Sequence, residues 1–524
     1  MHGYVSLMLH AHLPFVRHPE HERFLEESWF FEAVRETYLP LIEMLEGWER
    51  DRLPAKITFT LSPTLCSMLR DPLLQERCTQ RLDDLIRLAE AEVQRTRFEP
   101  RLQLLAGYYR ERLLTLKGIW LANACDLVGA LGRLQELGRI ELITCAATHA
   151  LLPLLAQHPP SIRAQVFTAC EHYRDCFDCN PRGIWLPECA YVEEIEPVLK
   201  EAGLRWFALE SHGVLHATPQ PRYGVYAPVI TPRGLAAFGR DLESARQVWS
   251  RTEGYPGDPR YRDFYRDIGY DLEFDYVQPC LPSPEHRGFT GLKYHRITGD
   301  TEDKQIYELA AAQEAVAGHA AQFLEARLRQ IRHLAGLLGK PPVLLMPYDA
   351  ELFGHWWHEG VEFIDAFVRG ACRHPDECSL VTPGDYLLSH RTHQIAAPAA
   401  SSWGEHGYYK VWLNETNDWI LPHLDHAQQR MTGLARRFTR PSALKKRALN
   451  QAARELLLAQ ASDWPFILRT GTSPGYARQR VTEHLHRFNA LHDQLASGTV
   501  DEALLARWEA QDNLLSRMDY RCFR

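Results

Sequence analysis

The sequence has no apolar run approaching the roughly 18 residues that a membrane helix needs. Its start, Met1-His2-Gly3-Tyr4-Val5-Ser6-Leu7-Met8-Leu9-His10, has neither the basic opening nor the long apolar segment of a secretion signal. An excess of positive charge is missing too: 59 Lys and Arg against 67 Asp and Glu leave a net charge of −8. A phosphate-binding surface is therefore not its main business, and no partnership with nucleic acid or membrane is expected. The basic cluster Arg436-Arg437 to Lys445-Lys446-Arg447 reads as a solvated helix face. Twelve cysteines in 524 residues make no compact disulfide framework and read as the reduced thiols of a cytoplasmic protein. Cys176-Phe177-Asp178-Cys179, with Cys170 nearby, has zinc-like spacing but no matching second pair. With 45% hydrophobic and 24% charged residues, the chain has the composition of a soluble globular protein. Its length suffices for one large core with one or two accessory domains.

Two stretches share one design. Gly183-Ile184-Trp185-Leu186 is a short apolar run that stops at Pro187 and presents Glu188. Pro342-Val343-Leu344-Leu345-Met346 runs into Pro347-Tyr348-Asp349, with Trp356 and Trp357 following. Buried parallel strands look like this, and in a parallel barrel the carboxyl ends of the strands carry the chemistry. A carboxylate after a strand can simply cap the next helix. Two of them beside tryptophans point instead to paired acid and nucleophile chemistry on a sugar, whose ring stacks on aromatic faces.

Further strands are expected at Tyr4 to Leu9, Lys56 to Leu61, Ile140 to Cys145, Arg205 to Glu210 and Ser379 to Val381. His10-Ala11-His12 closes the first. Such a pair binds a metal if a third ligand exists, or lines a pocket as neutral imidazoles. The stretch 62–138 has helical apolar spacing (Leu82, Leu85, Ile86, Leu88, Leu113, Leu116) and is too long for a connecting helix, so it reads as a helical insertion. Between about 219 and 299 the periodicity is poor and aromatics are plentiful, the mark of functional loops. Glu308 to Leu338 reads as one or two long helices, and from Ser402 the composition turns helical.

Gly183 to Cys189 and Pro347 to Trp357 closely resemble two signature motifs of glycoside hydrolase family 57, and within it those of the 1,4-α-glucan branching enzymes. Phe238-Gly239-Arg240-Asp241, Gln247-Val248-Trp249-Ser250, Gly254 to Asp258 and Tyr261 to Tyr270 resemble the same group. The resemblance implies an α/β fold, a distorted (β/α)7 TIM-like barrel over 1–61 and 139–395. The insertion then spans 62–138, and an all-helical domain, 396–524, reaches into the substrate groove. It implies Glu188 as nucleophile and Asp349 as general acid/base of a retaining transglycosylation, for which the two carboxyl groups stand about 5–5.5 Å apart. It implies α-1,4-glucan as donor and acceptor, and no cofactor or metal. Implied substrate contacts are His10, Trp29, His149 in an Ala-Thr-His element, Arg262 (with Arg266 as its alternative), Trp403, Trp412 and Asp463. Trp29, Trp357, Trp403 and Trp412 are expected to form aromatic walls that position the acceptor and exclude water. His12 is read as structural, and Trp419 and Trp464 as core. The family's flexible-loop tyrosine has no secure counterpart, because Phe238 stands nearby without a hydroxyl. Alternatives are a 4-α-glucanotransferase or an α-amylase of the same family. From other classes come a deacetylase with zinc on His10, His12 and an aspartate, and a non-catalytic glucan-binding protein.

Overall fold

The computed structural model describes residues 3–250 and 253–524. In chain order its strands are β1 (Gly3–Ala11), β2 (Ile57–Leu61), β3 (Ile140–Ile143), β4 (Gly183–Ile184), β5 (Trp206–Leu209), β6 (Val229–Ile230), β7 (Ala236–Gly239), β8 (Val343–Asp349) and β9 (Cys378–Leu380). They pair in two runs, β3-β2-β1-β8 and β4-β5-β7-β6. Single parallel bridges, Thr144 to Ile184 and Arg240 to Leu345, join the runs. A ring of seven parallel strands results, β1-β2-β3-β4-β5-β7-β8, closed at two seams by one bridge each. The distortion lies at these seams, and β4 and β8, which lead to Glu188 and Asp349, each border one.

The ring differs from the expected set in one member. The segment at 378–380 pairs with Gly3 to Val5 at the start of β1 and stands beside the ring, whereas β7, which sequence reading leaves in a loop, belongs to it. Ala236-Ala237-Phe238-Gly239 carries no β-branched residue, so propensity gives it no signal; burial on both faces makes it a strand. The same double burial covers every residue of β2, its two threonines included, and all but Tyr4 of β1.

Four helices fill the stretch between β2 and β3: Pro63–Leu69, Pro72–Arg95, Pro100–Ala122 and Leu127–Glu136. Ser62, Asp71 and Asp126 cap three of them by accepting from backbone N–H groups three residues on, and proline opens the first three. Their apolar faces join one core with the barrel and the carboxyl-terminal helices, so Leu85, Leu116 and Trp120 share a cluster with Leu7, Leu344, Leu456 and Phe488. Leu309–Leu338 is a single 30-residue helix closed by Gly339 at φ 65°, a left-handed stop. No single helix among the described residues is long and apolar enough to cross a membrane.

After Ser402 come helices Ile420–Arg437, Ala443–Ala459, Asp463–Thr470, Pro474–Ser497 and Glu502–Gln511. Trp464 is fully buried among them, as expected of a core residue. A buried charge cluster ties the bundle together. Asp512 accepts from Arg480 Nη2 at 3.1 Å and from Arg487, while Glu455 pairs with His484 at 2.7 Å. Removing one partner of such a cluster strands buried charge. We therefore expect Asp512→Ala to lower unfolding free energy by about 3–5 kcal/mol. Loss of the exposed Arg447–Glu502 pair should cost about 0–1 kcal/mol. Urea unfolding of both variants checks the contrast.

Candidate active site

The carboxyl ends of β1, β4 and β8 and the segment after β3 converge on one spot, and the carboxyl-terminal region closes over it. His10 on β1 is in register with Asp349 on β8. Beyond β4, Glu188 lies in the left-handed region at φ 62°, followed by Cys189 at 49°, and His149 after β3 sits at 56°. Such strain in non-glycine residues, of order 1–3 kcal/mol each, persists only where the surroundings over-determine it. Here the carboxyl-terminal region does so: the Trp403 N–H donates to the Glu188 carbonyl at 3.0 Å, and the Ser462 N–H to the His149 carbonyl at 3.1 Å.

The Glu188 carboxylate accepts from Trp403 Nε1 at 2.7 Å and from Ser462 Oγ at 3.2 Å. Because Ser462 gives its proton to Glu188, it must accept from His149 Nδ1, which lies 2.9 Å away. His149 Nε2 is then a lone pair and receives the proton of His10 Nε2 at 3.0 Å. The result is a one-way relay, His10 to His149 to Ser462 to Glu188, whose sense is set by a negative Glu188. Burial holds both histidines well below their usual pKa, so they stay neutral. The rings stack in a column: His12 on His149 at 3.8 Å and His10 on Trp185 at 4.7 Å. His12 bridges Ser62 Oγ at 2.8 Å and Asp463 at 3.0 Å.

Burial raises the Glu188 pKa to about 7, against the opposing pull of the Trp403 and Ser462 hydrogen bonds. Asp349 is held well above the carboxylate range by burial and then by the charges of Glu351 and Glu188, with Arg240 opposing. Arg240 donates to Glu210 at 3.0 Å and lies over the Trp403 ring at 5.6 Å. Glu351 accepts from the Tyr38 hydroxyl and from the His12 N–H. Two triads bring potential metal-ligand atoms within 4.8 Å of one another, His12–His149–Asp463 and His10–Cys145–His149. The relay already occupies His10 Nε2 and both His149 nitrogens, and Ser62 and Asp463 take those of His12.

The structure thus gathers Glu188, Asp349, His10, His149, Trp403 and Asp463, and adds His12. Trp412 is 3% exposed, buried against Leu151 and Ala190 next to Trp403, so it backs that ring and is not itself a wall. There the hydrogen of Gly404 takes the place of a Cβ that would fall 2.5 Å from the indole. Trp29 is partly buried and meets Tyr476 edge-on at 5.9 Å. Two expected contacts lie elsewhere. Trp357 is 2% exposed and packs among Tyr261, Phe353 and Phe363, so it is a core residue and not a wall. Its neighbour Trp356 is 54% exposed and stacks on Phe264 at 4.6 Å. Arg262 is buried beside Glu36 and Tyr109, donates to the Gly291 carbonyl at 3.4 Å and lines a small cavity of about 50 Å³ with Arg35, Arg112 and His358. Arg266 pairs with Asp271 at 3.0 Å. Phe238 is buried in β7, and Tyr255, the first tyrosine after it, is packed on His319 and Phe363. Sequence reading misses Ser462 and the Arg240–Glu210 pair. Both Ser462, next to Asp463, and Arg240 stand in segments that resemble the family.

Fold and site define a class, a parallel α/β barrel with two partly buried carboxylates at the carboxyl-terminal end of its strands. The profile of glycosyl hydrolase family 57 matches residues 6–398, and that of the carboxyl-terminal region of 1,4-alpha-glucan branching enzyme matches 423–523. The chain belongs to glycosyl hydrolase family 57. It is 32% identical to a 1,4-alpha-glucan branching enzyme of Thermococcus kodakarensis, over 98% of this chain and 77% of that protein. Among solved structures, the alpha-amylase AmyC of Thermotoga maritima superposes with a TM-score of 0.94 at 42% identity, covering 100% of this chain and 99% of that one. The branching enzyme of Pyrococcus horikoshii does so with 0.89 at 31%, covering 100% and 97%.

Proposed function

We propose that the protein is a retaining 1,4-α-glucan branching enzyme, acting in the cytoplasm. It cleaves an α-1,4 linkage and transfers the released segment to a 6-hydroxyl of an acceptor glucan. The observation that carries this reading is the dependence of Glu188 on the carboxyl-terminal region. Trp403 and Ser462 supply its hydrogen bonds, and Ser462 and Asp463 fall within the stretch matched to branching enzymes. The groove is therefore complete only with that region in place, in keeping with a catalytic barrel at 1–61 and 139–395, an insertion at 62–138 and a helical domain from 396.

Glu188, as the carboxylate, attacks the anomeric carbon and forms a glycosyl-enzyme, and its charge beforehand helps to hold the proton on Asp349. Asp349, still protonated, gives its proton to the leaving oxygen. Once the leaving chain departs, Asp349 is the base that takes the proton of the incoming 6-hydroxyl. Loss of negative charge on Glu188 during attack reduces its pull on the relay, and the neutral histidines allow this without a charge of their own. His10 and His149 border the sugar, Trp29 and Trp403 order the acceptor, and Trp412 backs Trp403 from the core. Arg262 acts from behind, by holding the loop that carries it.

The likeness to AmyC favours hydrolysis as the second reading. Incubation with amylose in the presence of chelator, followed by debranching of the product, separates the two. Branching gives many new α-1,6 linkages with few new reducing ends. Reducing ends without new branches would replace the proposal with an amylase, and redistribution of chain length with neither would mean a 4-α-glucanotransferase.

A further inference from the structure

We propose that Cys66, His172 and Cys176 form a binding site for one zinc-class divalent cation, separate from the catalytic groove, with a fourth coordination position left to solvent. His172 and Cys176 are four residues apart on helix Pro159–Phe177, which puts them on one face. Cys66 comes from Pro63–Leu69, the helix after β2. Of the pair with zinc-like spacing, Cys176 and Cys179, only Cys176 takes part, and the second thiol comes from a distant part of the chain. Cys179 itself is exposed and faces Gln135 at 3.7 Å.

The three ligand atoms lie within 4.8 Å of one another. Cys176 Sγ is 3.6 Å from His172 Nδ1. Zinc bonds of about 2.3 Å to sulfur and 2.0–2.1 Å to nitrogen, at a tetrahedral angle, place neighbouring S and N atoms about 3.6 Å apart. The hydrogen bonds also fix which nitrogen is free. Ser67 Oγ donates to the Pro63 carbonyl at 2.7 Å, so toward His172 Nε2, 3.1 Å away, it can only accept. The proton of His172 is therefore on Nε2, and Nδ1 offers a lone pair toward the two sulfurs. An outer partner that orients the imidazole in this way is the usual company of a metal-ligating histidine.

Charge is balanced as well. Binding converts two thiols to thiolates and releases two protons, and the two negative sulfurs neutralise the divalent ion in a largely buried place. Arg70 donates to Cys176 Sγ at 3.5 Å and pairs with Asp175 at 3.5 Å, so its own charge has a carboxylate beside it. Asp175 is in turn bonded by Arg517 at 2.7 Å, and Thr168 faces Cys522. The ion would accordingly pin the first helix of the insertion to the helix before β4, at the point where the carboxyl-terminal tail also attaches.

The test is a Co(II) titration of the full-length, reduced, chelator-treated protein. One equivalent should develop the ligand-field and sulfur-to-cobalt charge-transfer bands of a tetrahedral two-thiolate site, and Zn(II) should bleach them. Cys66→Ser and Cys176→Ser should each abolish the two-thiolate spectrum, and Cys179→Ser should leave it unchanged. Ser67→Ala should keep the spectrum but weaken affinity about 10- to 100-fold, which separates an oriented ligand from a cysteine that merely packs. Two results would overturn the proposal. One is a two-thiolate spectrum that survives Cys66→Ser, which would take Cys66 out of the site. The other is a reduced protein that takes up no cobalt, with the Cys66 and Cys176 thiols lost together in air as a disulfide. Should either cysteine variant fail to fold, the wild-type stoichiometry and the Ser67→Ala affinity still decide.

Discussion

Glu188→Gln is expected to abolish glucan transfer, by at least on the order of 10⁴-fold in kcat, and at the same time to make the protein more heat-stable in alkaline buffer. The first effect follows from removing the attacking oxygen while keeping the shape. The second follows from linkage. Burial lifts the Glu188 pKa from 4.5 to about 7, so between those values the folded state holds a proton that the unfolded chain has released. Stability from this group is complete below pH 4.5, declines as pH rises toward 7 and is absent above it. The interval corresponds to about 3 kcal/mol of buried-charge penalty, and a neutral amide does not incur it. The Tm of the variant should exceed that of the wild type at about pH 9, with the gap closing as pH falls to 4.5. The amide also reverses the relay. It donates to Ser462, Ser462 donates to His149 Nδ1, and the His149 proton moves to Nε2, a change that ¹⁵N NMR of the histidine rings reads directly.

The strained backbone makes the coupling between carboxyl-terminal region and catalysis concrete. Glu188 and His149 each sit at positive φ, and each has its carbonyl pinned by an N–H from beyond residue 400. Neither feature leaves a trace in sequence, since nothing about Glu188 or His149 as residue types announces a left-handed conformation. The two carboxylates are legible because an acid that ends a short apolar run must either cap a helix or serve a site, and the flanking tryptophans favour the site. Aromatic identity is legible and aromatic facing is not. Trp356 and Trp357 are adjacent, and only the packing of Phe353 and Phe363 decides that the second is core and the first exposed. Arg262 shows the same limit for charge. A loop arginine among tyrosines looks like a ligand contact, yet the neighbours it meets are Glu36, Tyr109 and the Gly291 carbonyl. β7 escapes notice for a different reason, because a four-residue strand of Ala, Ala, Phe and Gly is held by its surroundings. The segment at 378–380 reads as a strand and is one, outside the ring.

Asp349→Asn separates the two halves of the reaction. On amylose, whose leaving oxygen needs a proton, the asparagine variant should lose about 10²–10⁴-fold in kcat. On an aryl α-maltooligoside with an acidic phenol the first step needs no proton. A burst of phenol equal to the enzyme concentration should therefore appear, followed by a stall, because no base remains to activate the acceptor. Azide needs no base, so adding it should restart turnover. Two successive inversions at the anomeric carbon then require an α-glycosyl azide as product. A β-azide would mean direct displacement, with no Glu188 intermediate. The pH profile carries an independent check. Wild-type activity should rise through about pH 7 as Glu188 ionises and fall once Asp349, held up by burial and by the charges of Glu351 and Glu188, loses its proton. With the aryl substrate the burst rate of the variant should keep the rise and lose the fall. An alkaline limb that persisted in Asp349→Asn would assign the proton to another group, and Glu351, bonded to Tyr38 and His12 and two residues from Asp349, would be the next to replace.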